Sequence, residues 1–408
     1  MKVLYFHQHF GTPQGATGTR SYEFARALIA RGHRVTMVCG AHALSGVTLP
    51  FDARRNWWRG PVDGIDVVTL PLAYSNRAGL GRRTWLFLRF AWRSALLAWR
   101  EDYDLLFATS TPLTAGIPGV AMKLLGRGKP FVFEVRDLWP ELPRALGMKN
   151  PLALGGMSAL EWLCYRASDA CIGLSPGIVA GIRRRAKRDH PIALVPNGAD
   201  LDVFRPGRRE DLRLEGVAPG DFVAGFTGAH GVANGLDAVL DAAAVLQAQG
   251  RRDIKLVFIG DGGVKDRLVG RARRESLDNC LFFPPMKKTR LAEVTGRLDC
   301  GLMILANVPA FYYGTSPNKF FDYLAAGLPV VNNYPGWLAD LINRTGCGVV
   351  VAPDDAAAFA AALVALADAP GCRREMGERA RQLAEREFAR EKLAGEFVDF
   401  LTRTCAGG

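Results

Sequence analysis

One opening pattern occurs twice along the chain, and this repetition restricts the possible folds more than any other feature. A short apolar run at residues 2–6 leads into the glycine-rich loop GTPQGATG, then a segment with helical spacing that ends at Gly32, then the apolar run RVTMVCG. The same order returns with DFVAGFTG, the loop GAHGVANG, a helical segment that ends at Gly250 and the run IKLVFIGDG. Strand, glycine loop, helix and strand make up the first unit of a doubly wound parallel sheet. The sequence therefore predicts an α/β protein with two Rossmann-like domains.

The domain boundaries follow from the length and from the segment between the two openings. A chain of 408 residues exceeds one ordinary core. Residues 195–221, ahead of the second opening, are rich in proline, glycine and charge. We predict an N-terminal domain over 1–200, a C-terminal domain over 201–385 and a final helix over 386–408 that packs back towards the N-terminal domain. Such sheets bind ligands at the carboxyl ends of their strands, so the two domains are expected to face a central cleft.

Composition and charge narrow the class of protein. The hydrophobic fraction is 49% and the mean hydropathy +0.04, which is typical of a globular protein. The net charge of +12 favours an anionic partner, which can be a nucleotide, a nucleic acid or an anionic lipid. Eight cysteines without a Cys-x-x-Cys pair favour buried free thiols in a reducing compartment. The first residues lack the apolar stretch of a signal peptide, so we expect a cytoplasmic protein.

The segment SPNKFFDYLAAGLPVV, at residues 316–331, places a cation and a carboxylate near the start of a predicted helix. Ser316 is the expected N-cap and Pro317 the first helical residue. Lys319 and Asp322 are three positions apart and share a face. Amides at a helix start bind phosphate, a lysine adds charge, and an aspartate can accept hydrogen bonds from ribose hydroxyls. The alternative is an exposed Lys319–Asp322 ion pair worth under ~1 kcal/mol.

This segment resembles the donor-nucleotide segment of GT-B glycosyltransferases of family 4. In that family a carboxylate five positions before a glycine holds the donor ribose, and Asp322 has this spacing from Gly327. The similarity runs along nearly the whole chain, through ARALIARGHRVTMV, VPNGADLDVFRP and LVFIGDGG. The stretch FEVRDLWPE, together with SPNK, resembles a bacterial subgroup that builds O-antigen, capsule and exopolysaccharide and includes N-acetyl-fucosamine transferases.

The resemblance implies a retaining hexosyltransferase-type enzyme that uses a UDP-sugar and needs neither a metal nor another cofactor. Two departures affect the site. Gly314 stands where the family often has a glutamate, and Ala229 and Asn234 stand where it commonly has an arginine and a lysine for the diphosphate. Lys319 is then the remaining cation for the phosphates. The donor-binding candidates are Lys319, Asp322, Ser316, Pro317, Asn318, Gly228, Asn234, Met286 and Gly15.

The candidate catalytic residues follow the predicted strand in FEVRDLWPE, and they are Arg136, Asp137 and Glu141. Arg136 stands where the family often has a histidine before the aspartate. Asp137 would orient the acceptor hydroxyl or take its proton, and Arg136 would bind a phosphate of the donor or the acceptor. The alternative is a helix start at which acidic residues are favoured by the helix dipole.

A helix with tryptophan and arginine on its surface is predicted from RRTWLFLRFAWRSALLAWR. Trp85, Trp92 and Trp99 are spaced by seven, beside a stripe that includes Arg89 and Arg93. Its apolar stretch is interrupted by arginines and is too short to span a bilayer. The pattern is typical of a helix that lies on the surface of an anionic membrane. RRNWWRG, just upstream, is a possible second contact. The alternative is an ordinary domain helix, with the tryptophans packed on the sheet and the arginines in water.

Together these features predict an enzyme peripheral to the inner face of the bacterial plasma membrane. It would transfer a sugar, expected to be an N-acetylated hexosamine or deoxyhexosamine, to a saccharide on a polyprenyl diphosphate, and it would bind no nucleic acid. One alternative is a UDP-sugar epimerase of the same twin fold, which would need no membrane helix. The other is a basic nucleic-acid-binding protein, which leaves the glycine loops and the Ser-Pro-Asn-Lys helix unexplained.

Overall fold

The computed structural model describes residues 1–15, 17–73, 79–110, 112–186, 189–312 and 314–407. The chain divides into two compact units. The first comprises Met1–Pro196, Gly314–Ser316 and Glu391–Gly408, and the second comprises Asn197–Tyr313 and Pro317–Arg390. Each unit has its own sheet and its own hydrophobic core.

The sheet of the first unit has the strand order β3-β4-β5-β2-β1-β6-β7-β8-β9 in the described residues. Most neighbours are parallel, with Val3 of β1 opposite both Val35 of β2 and Leu105 of β6. The order reverses at β1, which places a topological switch point between β1 and β6. The strands are β1 (Lys2–Phe6), β2 (Arg34–Gly40), β3 (Phe51–Asp52), β4 (Trp57–Val62), β5 (Ile65–Leu70), β6 (Leu105–Thr109), β7 (Phe131–Val135), β8 (Ala170–Gly173) and β9 (Ile192–Leu194).

Strands β3 and β4 depart from the doubly wound pattern, because β4 pairs antiparallel with β3 on one side and with β5 on the other. Trp57, Trp58 and Arg59 therefore lie in a strand, in the stretch suggested above as a second membrane contact. Arg59 is committed to ion pairs with Asp66 (2.6 Å) and Glu101 (2.8 Å). Its charge is therefore balanced within the first unit.

Helices connect the parallel strands of the first unit. The predicted first helix is present and is followed by Gly32 at φ 79°, a conformation that glycine adopts without strain. The helices are α1 (Arg20–Ala30), α2 (Leu80–Arg100), α3 (Ile117–Leu124), α4 (Glu141–Ala145), α5 (Pro151–Ala167) and α6 (Pro176–Ala186), with a 3-10 turn at Leu113–Gly116.

The described sheet of the second unit is entirely parallel, in the order β12-β11-β10-β13-β14-β15. Its switch point lies at β10, which has β11 on one side and β13 on the other. Both strands predicted for the second opening are present, as β10 and β11. The strands are β10 (Phe222–Thr227), β11 (Ile254–Ile259), β12 (Cys280–Phe283), β13 (Cys300–Met303), β14 (Val330–Asn332) and β15 (Gly348–Val350).

The helices of the second unit surround this sheet, and the glycine loop after β10 contains a short 3-10 turn at Val232–Asn234. The helices are α7 (Asp237–Ala248), α8 (Lys265–Arg274), α9 (Lys288–Thr295), α10 (Pro309–Tyr312), α11 (Asn318–Ala325), α12 (Trp337–Thr345), α13 (Ala356–Asp368) and α14 (Pro370–Leu383). The prediction of two Rossmann-like α/β domains is thus confirmed.

The last helix, α15 (Arg390–Ala406), lies almost wholly in the first unit. Phe397 is fully buried there, stacked on Phe24 of α1 at 4.4 Å between ring centroids and edge-on to Phe107 of β6 at 5.1 Å. Arg31 and Asp399 form an ion pair beside this contact. The carboxyl-terminal segment is therefore part of the core of the first unit.

Within the described ranges, no single helix is both long and apolar enough to cross a membrane. One sharply bent pair, Ala356–Asp368 with Pro370–Phe388, meets the length and composition criteria only jointly.

Candidate functional site

The glycine loop after β10 and the start of α11 come together in the second unit. Gly228 has φ 130°, in the region that favours glycine. A Cβ added to Gly228 would lie only 3.3 Å from Cε of Lys319. Gly260, at φ 149°, packs against the carbonyl of Gly228 so closely that its own Cβ would meet that oxygen. Glycine is therefore required by the way these loops pack at the switch point.

Helix α11 begins one residue later than predicted. Pro317 is in the N-cap position with ψ 132°, where its side chain makes no capping hydrogen bond, and Asn318 is the first helical residue. The expectation of Ser316 as N-cap and Pro317 as first helical residue is therefore wrong, because Pro317 itself is in the extended conformation. The apolar face is as predicted, with Phe320, Phe321 and Leu324 fully buried. Ser316, Asn318 and Met286 are all half-buried.

Lys319 contacts the glycine loop and makes no ion pair with Asp322. Its Nζ donates to Oδ1 of Asn234 (3.2 Å) and lies 3.6 Å from the ring centroid of Phe226. The amide of Asn234 donates in turn to the carbonyl of Ala229 (2.8 Å). These contacts exclude the alternative of a Lys319–Asp322 ion pair. Burial lowers the pKa of Lys319 to about 7, so an anion beside it would favour the charged form.

Asp322 lies one helical turn further on, and its carboxylate has no hydrogen-bonding partner among the residues described. Burial raises the pKa of Asp322 to about 7, and the Asp200 carboxylate adds to this effect. Lys288 and Arg390 partly oppose it, and both pair directly with Asp200. Asp200 is itself a buried carboxylate. Its lysine and arginine partners explain why a carboxylate is buried there.

Lys265, at the start of α8, is a cation near the glycine loop that the sequence analysis missed. Its Nζ donates to the carbonyls of Gly260 (2.7 Å) and Phe283 (2.8 Å). His230, in the loop itself, is fully buried against Phe258 and its neighbours, and burial lowers its pKa to about 4, with Lys265 contributing. The only sequence signal for Lys265 is its position three residues after the GDG stretch at residues 260–262.

Gly15 belongs to the first unit, and its lack of a side chain has a local cause. A Cβ there would lie 2.3 Å from the carbonyl oxygen of Leu44 and 2.7 Å from that of Ser45. Packing of two loop backbones thus accounts for glycine at this position without a ligand.

Arg136 and Asp137 follow β7 at the carboxyl edge of the first sheet. The backbone N–H of Arg136 donates to Oγ of Ser110 (2.8 Å), which follows the neighbouring strand β6. In the described part of the chain neither the Arg136 guanidinium nor the Asp137 carboxylate has a hydrogen bond or an ion pair. Burial raises the pKa of Asp137, and Arg136 works against this shift. Glu141 is the exposed first residue of α4.

Polar residues after β1 reach the same edge, since β1, β6 and β7 are neighbours in the sheet. His7 and His9 lie in the loop that follows β1, because this strand ends at Phe6. Burial lowers the pKa of His7, and the charge of Arg136 contributes. Gln8 is fully buried, and its amide has no partner in the described residues. Gln8 belongs to no recognisable sequence motif, so its burial at this edge was not predictable from the sequence.

Arg20 and Glu134 form a fully buried ion pair beneath this edge. Nη2 of Arg20 lies 2.8 Å from Oε1 of Glu134 and 2.7 Å from the carbonyl of Val195, and Nη1 donates to Pro196. Thr109 donates to the other carboxylate oxygen at 2.7 Å. The pair joins the start of α1, strand β7 and the end of the first unit's main segment.

The tryptophans of α2 are exposed. Trp85, Trp92 and Trp99 are 54%, 67% and 51% accessible, with Leu88 and Leu96 exposed between them. The alternative in which these tryptophans pack on the sheet is therefore wrong. Arg89 is exposed and its guanidinium lies 4.9 Å from the Trp85 ring.

Arg93 does not belong with the exposed stripe. It is half-buried and donates to the backbone carbonyls of Arg55 (3.1 Å) and Asn56 (2.7 Å). Its guanidinium therefore holds the turn before β4. The role of Arg93 as a membrane contact stays a prediction.

No group of three or more histidine, cysteine, aspartate or glutamate side chains is arranged to hold a metal ion within the described ranges. Six cysteines are buried as free thiols, whereas Cys372 is exposed and Cys405 half-buried. These two depart from the expectation that the thiols are buried.

Comparisons with known proteins agree with this two-unit architecture. Residues 15–198 match the family described as glycosyl transferase 4-like domain, and residues 208–383 match glycosyl transferases group 1. A D-inositol 3-phosphate glycosyltransferase of Nocardia farcinica is 31% identical over 203 residues, which cover 48% of this chain and 44% of that protein. The chain thus spans about half the length of the curated relatives it matches.

Solved structures share the fold over the full length. Sucrose-phosphate synthase from Thermosynechococcus elongatus has a TM-score of 0.78 at 18% identity, covering 100% of both chains. Anabaena HepE in complex with UDP-glucose has a TM-score of 0.71 at 18% identity, covering 99% of this chain and 100% of that one. The chain therefore joins a segment that matches the glycosyl transferase 4-like domain to one that matches glycosyl transferases group 1, and it has the GT-B fold.

Proposed function

We propose that the chain transfers a sugar, with retention of configuration, from a UDP-sugar to a saccharide carried on a polyprenyl diphosphate. The proposed donor site rests on the contacts that Lys319 and Asp322 of α11 make and lack. Lys319 reaches the glycine loop at Asn234, and Asp322 is left without a partner in the described part of the chain. A nucleoside diphosphate supplies what both lack, an anion for the lysine and hydroxyl donors for the carboxylate.

The donor is proposed to lie along the switch point of the second unit. Its diphosphate would contact Lys319, the Gly228 loop and the amides at the start of α11, and its ribose hydroxyls would donate to Asp322. Positive groups fixed before the reaction stabilise the charge that develops on the departing diphosphate. That the Anabaena protein was crystallised with UDP-glucose supports UDP as the nucleotide to test first.

The acceptor is proposed to bind at the carboxyl edge of the first unit. Asp137, whose pKa is raised by burial, would take the proton of the attacking hydroxyl or orient it. Arg136, which has no partner in the described residues, would bind a phosphate of the acceptor. We infer no metal or other cofactor in this reaction, because the cationic side chains supply the charge that the diphosphate needs.

The exposed stripe on α2 supports the proposed location, peripheral on the inner face of the bacterial plasma membrane. Trp85, Trp92 and Trp99 would enter the lipid interface, and Arg89 would contact anionic headgroups. A lipid-linked acceptor would then remain anchored while its saccharide reaches the protein. Synthesis of O-antigen, capsule or exopolysaccharide, with an N-acetylated hexosamine or deoxyhexosamine donor, is the proposed setting.

A phosphorylated polyol is the second candidate acceptor. The matching curated relatives are named D-inositol 3-phosphate glycosyltransferases, and the unpaired guanidinium of Arg136 is suited to a phosphate monoester as well as to a diphosphate. This candidate requires no membrane, so the stripe on α2 favours the lipid-linked acceptor.

Calorimetric titration with UDP and then GDP tests the donor site. We expect one nucleotide to bind, and Lys319→Ala or Asp322→Ala to weaken it by roughly tenfold or more, since each removes a charge-assisted contact. Lys287→Ala is the matched control, because Lys287 is an exposed lysine of the same unit. Failure of the folded wild-type protein to bind either nucleotide would overturn the proposal.

A further inference from the structure

The loop that carries Arg136 and Asp137 is fixed by a buried carboxylate from another helix. Glu161, on α5, is 2% exposed. Its Oε1 accepts from the backbone N–H of Trp139 (2.9 Å) and from the hydroxyl of Tyr165 (2.8 Å). Trp139 lies two residues after Asp137, so this hydrogen bond fixes the loop backbone immediately beside the two charged side chains.

A carboxylate in this position is unfavourable for stability alone. Burial raises the pKa of Glu161 to about 7, with the hydrogen bonds from Trp139 and Tyr165 opposing the shift. Arg185 forms an ion pair with Glu161, with its Nε 3.4 Å from Oε2, and its Nη2 donates to the carbonyl of Ser158. An apolar side chain would avoid the desolvation cost but would leave the Trp139 N–H without an acceptor.

The loop is held at three points. The N–H of Arg136 donates to Ser110, the side chain of Leu138 packs so closely on Gly181 that a Cβ there would lie 2.6 Å from it, and the N–H of Trp139 donates to Glu161. The backbone is thus fixed on both sides of Asp137, while the side chains of Arg136 and Asp137 have no partner among the described residues. This arrangement is what a binding loop needs, since rigid support reduces the entropy lost when a ligand is bound.

We propose that Glu161 is a positioning residue for the acceptor side of the reaction, holding the 136–141 loop through the N–H of Trp139 so that Arg136 and Asp137 are pre-organised. This inference rests on the proposed role of Arg136 and Asp137. Glu161 touches neither residue's side chain, and it acts only through the loop backbone.

Hydrogen exchange of the peptide that contains residues 136–142 tests the positioning directly, without an activity assay. In Glu161→Leu the Trp139 N–H loses its acceptor, and we expect its exchange to accelerate by up to about tenfold. Glu161→Gln keeps a carbonyl oxygen at the same place and should retain the wild-type rate. Asp169→Asn is the matched control, because Asp169 accepts from the N–H of Phe131 (2.7 Å) at the opposite end of β7.

Kinetics then separate positioning from a general loss of structure. Once transfer is measurable, Glu161→Leu should raise KM for the acceptor while KM for the donor stays unchanged, and Glu161→Gln should restore the acceptor value. Wild-type exchange in a folded Glu161→Leu protein would overturn the inference, and so would equal changes in both KM values. A wild-type protein that transfers no sugar would instead refute the proposed function, and the exchange result would still decide the role of Glu161. If Glu161→Leu does not fold, the hydrogen-exchange test is made with Glu161→Gln and Tyr165→Phe. The Trp139 N–H should remain protected from exchange in both variants. Loss of protection in Glu161→Gln would show that a carbonyl oxygen at this position is not what holds the Trp139 N–H.

Discussion

The ammonium group of Lys319 lies 3.2 Å from the side-chain oxygen of Asn234, a residue 85 positions earlier in the chain. This contact joins the start of α11 to the glycine loop after β10. It also directs the lysine away from Asp322, although the two residues are only three positions apart. The amide of Asn234 is a neutral partner, so an arriving phosphate can displace it without breaking an ion pair.

UDP affinity should be greatest near neutral pH. The pKa of Lys319 is lowered to about 7, so the lysine loses its charge above this pH, and the pKa of Asp322 is raised to about 7, so the aspartate loses its charge below it. On the acid side and on the alkaline side of this maximum, the UDP affinity should fall by at most about tenfold per pH unit, because binding is linked to one proton on each side. Calorimetric titrations from pH 5.5 to 8.5 measure this profile.

Two variants assign the limbs. Lys319→Arg keeps its charge at all these pH values and should flatten the alkaline limb, and Asp322→Asn should flatten the acid limb. A wild-type affinity that is constant across the range would contradict the assignment of both groups.

Removal of Arg20 should destabilise the first unit strongly. Arg20→Ala leaves Glu134 buried without its counter-ion, with an expected cost of roughly 3–5 kcal/mol. Replacing both partners by apolar residues, as in Arg20→Met with Glu134→Leu, should cost less, because no charge is left uncompensated. Urea unfolding followed by circular dichroism measures both. A single variant as stable as the double one would show that the pair contributes little.

Glu161→Gln should stabilise the protein above neutral pH. The folded-state pKa of Glu161 is raised to about 7, so folding holds a proton that the unfolded chain releases, and stability falls as the pH rises from about 4.5 to 7. The glutamine variant has no such pH-dependent loss of stability. Its free energy of unfolding should exceed that of wild type by at most about 3 kcal/mol above pH 7, and the difference should vanish near pH 4.5. Glu141, Tyr165 and Arg185 also influence Glu161 and are unchanged in the variant.

Thermal unfolding midpoints at pH 5 and pH 8 check this sign. An advantage for the glutamine variant that is larger at pH 5 than at pH 8 would be inconsistent with a buried, proton-holding Glu161.

Loss of an exposed tryptophan on α2 should weaken binding to anionic vesicles without affecting stability. Trp92→Ala is expected to reduce vesicle binding by roughly tenfold, from the apolar area withdrawn from lipid. Its unfolding free energy should change by under about 0.5 kcal/mol, because Trp92 is 67% exposed. Co-sedimentation with phosphatidylglycerol vesicles measures binding, and Leu194→Ala, at an exposed position on β9, is the control. Equal binding of Trp92→Ala and wild type would exclude this face of α2 as the membrane contact.

The sheet strands with continuous apolar runs and the helices closed by glycine were predictable, because their signals are local. Gly32 and Gly250 follow their helices in the left-handed conformation that the helix ends need. Strand β4 was missed because WWRGPV has neither a regular alternation nor a continuous apolar run, and its pairing comes from β5.

The candidate site was predictable only in part, since its side chains meet through tertiary contacts. Lys319 and Asp322 were visible from their spacing, but the Asn234 partner lies far away in sequence. Glu161 and Arg20 gave no local sequence signal, because each acts on a partner in another element. Glu161 accepts from the backbone N–H of Trp139, and Arg20 pairs with the carboxylate of Glu134. The hydrogen bonds of Arg93 were not predictable for the same reason, as periodicity does not reveal the carbonyls of a distant turn.

The position of α15 sets the order in which the protein can mature during synthesis. Phe397 packs against Phe24 and Phe107, so this aromatic surface of the first unit stays uncovered until synthesis has passed residue 397. The second unit, whose residues all precede Glu391, is available to fold before that closure. A nascent chain stalled anywhere before residue 391 would therefore leave Phe24 and Phe107 without the ring of Phe397 that covers them.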